Sequence, residues 1–129
     1  MNAVLDAGAV VEVLLGTVRG EAIYDHIRGS ATAAPHLIRI EVLQALRKGV
    51  ALGRLSAARA GEAVSDLEGL RVTLFPHEPL VQRIWSLRAN ASAYDAAYLA
   101  LAEALEAPLV TVDGGLKRVP GSKANVRVF

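Results

Sequence analysis

The sequence predicts an α/β fold: three layers, α/β/α, with a central, mainly parallel sheet flanked by helices. Three observations carry that reading. Short apolar runs bounded by Gly, Pro or Asp alternate with longer stretches of helical periodicity from one end of the chain to the other. Hydrophobic residues make up 53% of the 129 residues and aromatics only 5%, so the core is built from Ala, Val and Leu, whose small faces let helices lie close on a sheet. Strands separated by helices of this length are parallel neighbours covered on both faces. The length sets one domain, residues 1–129, and no repeat, linker or low-complexity stretch divides it.

Taken in order, Ala3–Leu5 is a short apolar strand ending at Asp6. Ala9–Leu15 reads as a helix stopped by Gly16, and Val18–Arg28 as a second one closed by Gly29. Ala33–Pro35 is a short strand. Leu37–Val50 is a helix ending near Gly53, and Ser56–Leu67 another, with Ser56 as its N-cap. Val72–Phe75 is a strand ended by Pro76, Glu78–Arg88 a helix, and Ser92–Leu105 a helix of strong signal. Pro108–Val112 is an apolar strand running into Asp113-Gly114-Gly115, and Val126–Phe129 a last edge strand. In such a fold ligands bind beyond the carboxyl ends of the strands.

Composition excludes several chemistries. With no cysteine, a disulfide scaffold, a zinc ribbon and a thiol nucleophile are ruled out, and a reducing, cytoplasmic setting is expected. The opening MNAVLDAGAVVEVLLG has no basic segment, and Asp6 and Glu12 interrupt its apolar run, so it is not read as a signal peptide. No apolar stretch reaches the roughly 18 residues a membrane span needs. A net charge of +1 neither marks nor excludes a nucleic-acid binder.

Four carboxylates stand out by position: Asp6, Glu41, Asp95 and Asp113. Asp6 and Asp113 follow apolar strands on the ligand-binding edge. From Asp95 to Leu105 only Asp95 and Glu103 are polar, and a helix that is apolar nearly all round is buried. A carboxylate placed there needs a cation, a hydrogen-bonding cap or a raised pKa. Ser92-x-x-Asp95 matches a capping box, a role compatible with binding a cation. Glu41 falls at the edge of the apolar stripe of Ile38, Val42, Ala45 and Leu46, where a solvated boundary glutamate is the plainer reading. Singly, each acid is a cap, turn or surface residue; the combination on one edge is what points to chemistry. Oxygen-only acids without Cys or His suit Mg²⁺ or Mn²⁺ rather than zinc. Such ions assist phosphodiester hydrolysis.

The landmarks AVLDAGAVVEVLLG, PHLIRIEVLQALRKG and ASAYDAAYLALAEALEAPLVTVD carry a resemblance that runs nearly end to end. The chain is similar to the PIN-domain family, and within it to VapC-like toxins. The resemblance implies that Asp6, Glu41, Asp95 and Asp113 bind Mg²⁺ or Mn²⁺ and that the chain hydrolyses RNA by metal-activated water. It places Thr111, Asn90 and Ser92 in supporting positions around the acids. It implies a homodimer, and a cognate antitoxin that silences the enzyme by laying a tail across the acidic cleft. One departure is Gly8, where the family usually has a small polar residue, commonly Ser. The lost hydroxyl motivates an alternative reading, a catalytically weakened PIN-fold module that binds RNA or protein.

Other residues are assigned structural roles. His26, His36 and His77 are isolated and lack ligand spacing. Tyr94 and Tyr98, one helical turn apart, are expected in the core with their hydroxyls at a polar rim. Trp85 is expected in the core or a dimer interface. Arg47, Lys48 and Arg54, like Lys117, Arg118 and Lys123, read as solvated basic faces. No phosphate-binding glycine loop is present. A phospho-accepting receiver domain is disfavoured, because no second acid adjoins Asp6.

Overall fold

A computed structural model describes residues 1–129. Five strands, β1 (Ala3–Leu5), β2 (Thr32–Pro35), β3 (Thr73–Phe75), β4 (Leu109–Thr111) and β5 (Val126–Val128), form one sheet in the order β3-β2-β1-β4-β5. Every pairing is parallel, so the expected mainly parallel sheet is wholly parallel. Six helices flank it: α1 (Ala7–Leu15), α2 (Val18–Ile27), α3 (Ile38–Ala51), α4 (Ala57–Glu68), α5 (Val81–Ser86) and α6 (Ala93–Leu105). The chain steps from β1 to β2 to β3 in one direction, then crosses back to β4 on the other side of β1. Right-handed crossovers therefore put α1 to α4 on one face and α5 and α6 on the other. The helix contacts agree: α1 packs on α2, α3 and α4, while α6 packs on α5, β1, β2 and β4. The strand order reverses between β1 and β4. That is the switch point where open parallel sheets bind ligands.

Local chemistry sets the ends of these elements. Asp6 caps α1, accepting the Ala9 N–H at 2.9 Å, so the helix begins at Ala7 rather than Ala9. Gly16, at φ +63°, ends α1 in the left-handed conformation that glycine adopts without strain. The expected helix Glu78–Arg88 is two pieces. Glu78–Leu80, which contains Pro79, forms a single 3₁₀ turn, and only Val81–Ser86 is α-helical. Proline lacks the N–H that a longer helix through this point would use.

The core is one cluster of 27 buried residues, and Tyr98 is its only aromatic member, as the composition required. Tyr94, expected to pack inside, does not: it is 65% exposed; Trp85, expected in the core or a dimer interface, is 63% exposed and so lies outside the core. Trp85 instead carries the Arg88 guanidinium over its ring at 4.6 Å. α1 and α2 approach so closely that a Cβ on Gly20 would lie 1.9 Å from the Glu12 carbonyl oxygen. Glu103, the second polar residue of α6, is neutralised by Arg83, whose Nε and Nη2 donate to its carboxylate at 2.7 and 3.0 Å. That pairing holds the Glu103 carboxyl below its usual range. No helix is long and apolar enough to cross a membrane.

Candidate active site

Three of the four acids gather at the carboxyl ends of β1 and β4. Asp6 is buried and its two oxygens are both engaged: Oδ1 accepts the Ala9 N–H, and Oδ2 accepts the Thr111 hydroxyl. Thr111, fully buried at the end of β4, also accepts the Asp113 N–H at 3.0 Å through the same Oγ1. One hydroxyl therefore ties the two strand ends together. The Asp113 carboxylate accepts the Gly115 N–H at 2.8 Å and caps the 3₁₀ turn Gly114–Arg118, leaving its side chain exposed to solvent. The turn reading of Asp113-Gly114 holds, and the charge of the carboxylate still acts on Asp6 and Asp95.

Asp95 reaches the same place from the first turn of α6. Ser92 caps that helix by accepting the Asp95 N–H at 3.1 Å, so the capping signal is real. The Asp95 carboxylate is half-buried, and it differs from Glu103 on the same helix: no cation pairs with it. The three ion pairs of the chain, Arg28–Asp25, Arg59–Glu62 and Arg83–Glu103, involve none of the four acids.

Electrostatics shows the consequence. Burial lifts the Asp6 carboxyl to about 6. The hydrogen bonds from Thr111 and Ala9 oppose that shift, and the charges of Asp95 and Asp113 add to it. The Asp95 carboxyl is raised by burial and by Asp113, against the hydrogen bond from Ser92. Like charges thus bear on one another across the switch point: Asp95 and Asp113 on Asp6, and Asp113 on Asp95, which favours a cation there.

Glu41 comes from α3, on the opposite face of the sheet, and its Oε1 is buried without a hydrogen-bond partner. This corrects the solvated-boundary reading: one oxygen points inward. The Tyr98 hydroxyl of α6 is likewise buried and unpartnered. The phenol is pushed well above its usual range by burial first, then by Glu41, Asp6 and Asp95. Tyr98 is the residue of this site that the sequence reading left in the core. Its signal was the i, i+3 spacing from Asp95, which places both on one face of α6.

Of the supporting residues, Thr111 and Ser92 contact acids as described. The Asn90 amide instead donates to the Pro120 carbonyl at 3.4 Å and hydrogen-bonds to no carboxylate. A Cβ on Gly8 would stand 3.1 Å from Val112 Cγ2 and 3.7 Å from Asp6 Oδ1. Its place in the chain is therefore beside the site, and its lack of a side chain lets Val112 close in.

No three carboxylates converge tightly enough to hold an ion unaided. Mg²⁺ does not require that, since it commonly takes one or two carboxylates directly and completes its shell with water and phosphate oxygens. The orphaned Glu41 oxygen, the uncompensated charge of Asp6, Asp95 and Asp113, and an all-oxygen donor set fit a hard divalent cation.

A family model for the PIN domain matches residues 3–122. The chain belongs to the PIN-domain family. Among its relatives, ribonuclease VapC12 of Mycobacterium tuberculosis is 37% identical over 125 residues, covering 97% of each chain. A crystal structure from Pyrobaculum aerophilum superposes with a TM-score of 0.71 at 26% identity, covering 98% of this chain and 83% of that one. VapBC2 of Rickettsia felis, solved bound to a DNA fragment from their promoter, shares the fold at a TM-score of 0.72 and 15% identity, covering 99% and 98%. The PIN landmarks read from the sequence are the segments that build this site: the first supplies Asp6, the second Glu41, and the third Asp95, Tyr98, Thr111 and Asp113.

The Thr111 hydroxyl makes a prediction. Thr111→Val keeps the shape but strands the Asp113 N–H and one Asp6 oxygen. The expected loss is about 1–3 kcal/mol of stability, the cost of leaving buried polar groups unpaired. Urea unfolding measures it, and an unchanged midpoint would show that the hydroxyl does not tie the strands.

Proposed function

We propose that this PIN-domain chain is a metal-dependent endoribonuclease that hydrolyses RNA phosphodiester bonds in the cytoplasm, as the toxin of a toxin–antitoxin pair. The carrying observation is a switch-point cluster of Asp6, Asp95 and Asp113, with Glu41 alongside, that no cation of the chain compensates. Similarity to ribonuclease VapC12 over nearly the whole chain supports RNA as the substrate class.

Asp6, Glu41, Asp95 and Asp113 would hold Mg²⁺ or Mn²⁺. A bound divalent ion supplies charge to neutralise the phosphate and acidifies the attacking water. The chain's own contribution is placement. Thr111 and the start of α1 fix Asp6, the turn after β4 fixes Asp113, and the Ser92 cap fixes the helix turn that carries Asp95. Their mutual repulsion makes the edge a strong attractor for cations. The same property suits an antitoxin segment that places Arg or Lys over the carboxylates, which is how we read silencing. Self-association is assigned to the apolar cleft of Val81, Trp85, Ala91 and Ala93, beside exposed Tyr94, a surface that a monomer leaves open to water.

The test is cleavage of a mixed pool of single-stranded and structured RNAs by antitoxin-free protein with Mg²⁺, with Mn²⁺ and with EDTA. Cleavage is expected with either metal and not with EDTA. Asp95→Asn is expected to lower it about 10²–10³-fold, the equivalent of losing several kcal/mol of charge stabilisation. RNA binding by a folded protein with no cleavage in any condition would instead favour the weakened binding module.

A further inference from the structure

Only two buried side-chain polar atoms in the chain lack a hydrogen-bond partner, Glu41 Oε1 and the Tyr98 hydroxyl oxygen. They belong to helices on opposite faces of the sheet, and they complement each other chemically. A phenol carries one O–H to donate, and an ionised carboxylate only accepts. Leaving either buried and unpaired is costly; pairing them removes both costs at once.

The other candidate acceptors for the hydroxyl are weaker. Both oxygens of Asp6 are already taken, by the Ala9 N–H and by the Thr111 hydroxyl. Asp95 is half-exposed and can be hydrated. Glu41 is also the acid that acts most strongly on the Tyr98 hydroxyl, ahead of Asp6 and Asp95.

We propose that Tyr98 is a positioning residue of the cation site: its hydroxyl donates to Glu41 and aims the remaining Glu41 oxygen at the cluster of Asp6, Asp95 and Asp113. Glu41 needs such a guide more than the other acids. Asp6 and Asp113 accept backbone N–H groups at 2.9 and 2.8 Å, whereas Glu41 has a longer side chain and its buried Oε1 has no backbone N–H to hold it. Three rotatable bonds leave its carboxylate free to swing. A donor fixed in a packed helix removes that freedom, and Tyr98 is 2% exposed. Residues that orient ligands in this way typically change metal affinity about 10–100-fold when removed. This inference rests on the metal-dependent reading given above.

The experiment is a calorimetric Mn²⁺ titration of wild type, Tyr98→Phe, Glu41→Gln and the double variant, at a pH where wild type is folded. Tyr98→Phe removes only the hydroxyl. It is expected to weaken Mn²⁺ binding about 10–100-fold. In the Glu41→Gln background the same change is expected to cost nothing further, because the hydroxyl acts through Glu41. A second readout does not depend on Tyr98→Phe folding: the Cζ carbon NMR shift of Tyr98 in wild type is expected to move when Glu41 becomes Gln. Equal Mn²⁺ affinity in wild type and Tyr98→Phe, an undiminished loss in the Glu41→Gln background, or an unmoved Cζ shift would each overturn the role. Folded wild type that binds no Mn²⁺ would defeat the metal-dependent reading itself and this inference with it.

Discussion

An Asp6→Asn variant is expected to melt above the wild-type chain and to cut no RNA. The reason lies in what folding does to this carboxyl. It is carried from water into a nearly closed pocket beside two other acids, and it rises from 3.8 to about 6. The folded state thus binds the proton more tightly than the unfolded state. Stability from this group is fully present at low pH and declines as pH rises from about 4 to about 6. At neutral pH the ionised Asp6 costs the fold up to about 3 kcal/mol, an upper bound given the relaxation around a buried charge. Asparagine has nearly the same shape, is an equally good N-cap and carries no charge. Without metal, the variant is expected to gain about 1–3 kcal/mol, several degrees in Tm. The gain should shrink towards pH 4, where the wild-type carboxyl is protonated. Thermal melts at pH 5 and pH 7.5 measure both statements. A variant that melts below wild type at pH 7.5 would show that Asp6 is a stabilising cap whose charge is already compensated.

Gly20→Ala is expected to unfold or severely destabilise the chain, although alanine is the better helix former. Gly20 lies in the first turn of α2, where it crosses α1. A methyl group there would sit 1.9 Å from the Glu12 carbonyl oxygen and 2.4 Å from its carbon, and both are backbone atoms that no rotamer change can move. Helix propensity returns at most about 1 kcal/mol. Forcing the helices apart costs about 3 kcal/mol or more, at the upper end for overpacking. Gly61 in α4 is the control: nothing lies within 4 Å of its would-be Cβ. Gly61→Ala is expected to stabilise by up to about 1 kcal/mol. Denaturant midpoints decide the comparison, and similar effects at the two positions would contradict the packing described for α1 and α2.

The parts of this fold legible in the sequence are those governed by local chemistry. Asp6 and Asp113 could be read because an apolar run must end where the sheet ends, and a carboxylate there serves as a cap. Asp95 could be read because ten neighbours leave it no polar company but Glu103. The parts that were not legible depend on what arrives from elsewhere in the chain. Trp85 and Tyr94 satisfy a helical pattern yet face outward, since periodicity does not say which stripe a neighbour covers. Glu41 falls at the edge of its stripe, but the Tyr98 hydroxyl on which it acts comes from α6, more than fifty residues away. Asn90 lies near Asp95 in sequence, yet the turn before α6 directs its amide to Pro120. Gly20 carries no signal of its own in the sequence; its role in the helix crossing exists only once α1 and α2 are packed. The expected helices Val18–Arg28 and Leu37–Val50 lie within a residue or so of α2 and α3, while Pro79 interrupts the expected helix Glu78–Arg88.

The central claim is that Asp6, Glu41, Asp95 and Asp113 together make a divalent-cation site. The most direct test is a calorimetric Mn²⁺ titration of purified wild type and Asp95→Asn at pH 7.5, with folding checked by circular dichroism. Saturable binding by wild type that is lost or strongly weakened in Asp95→Asn is the predicted result. Wild-type protein that is fully folded yet takes up no Mn²⁺, or an Asp95→Asn variant that binds as wild type does, would contradict it.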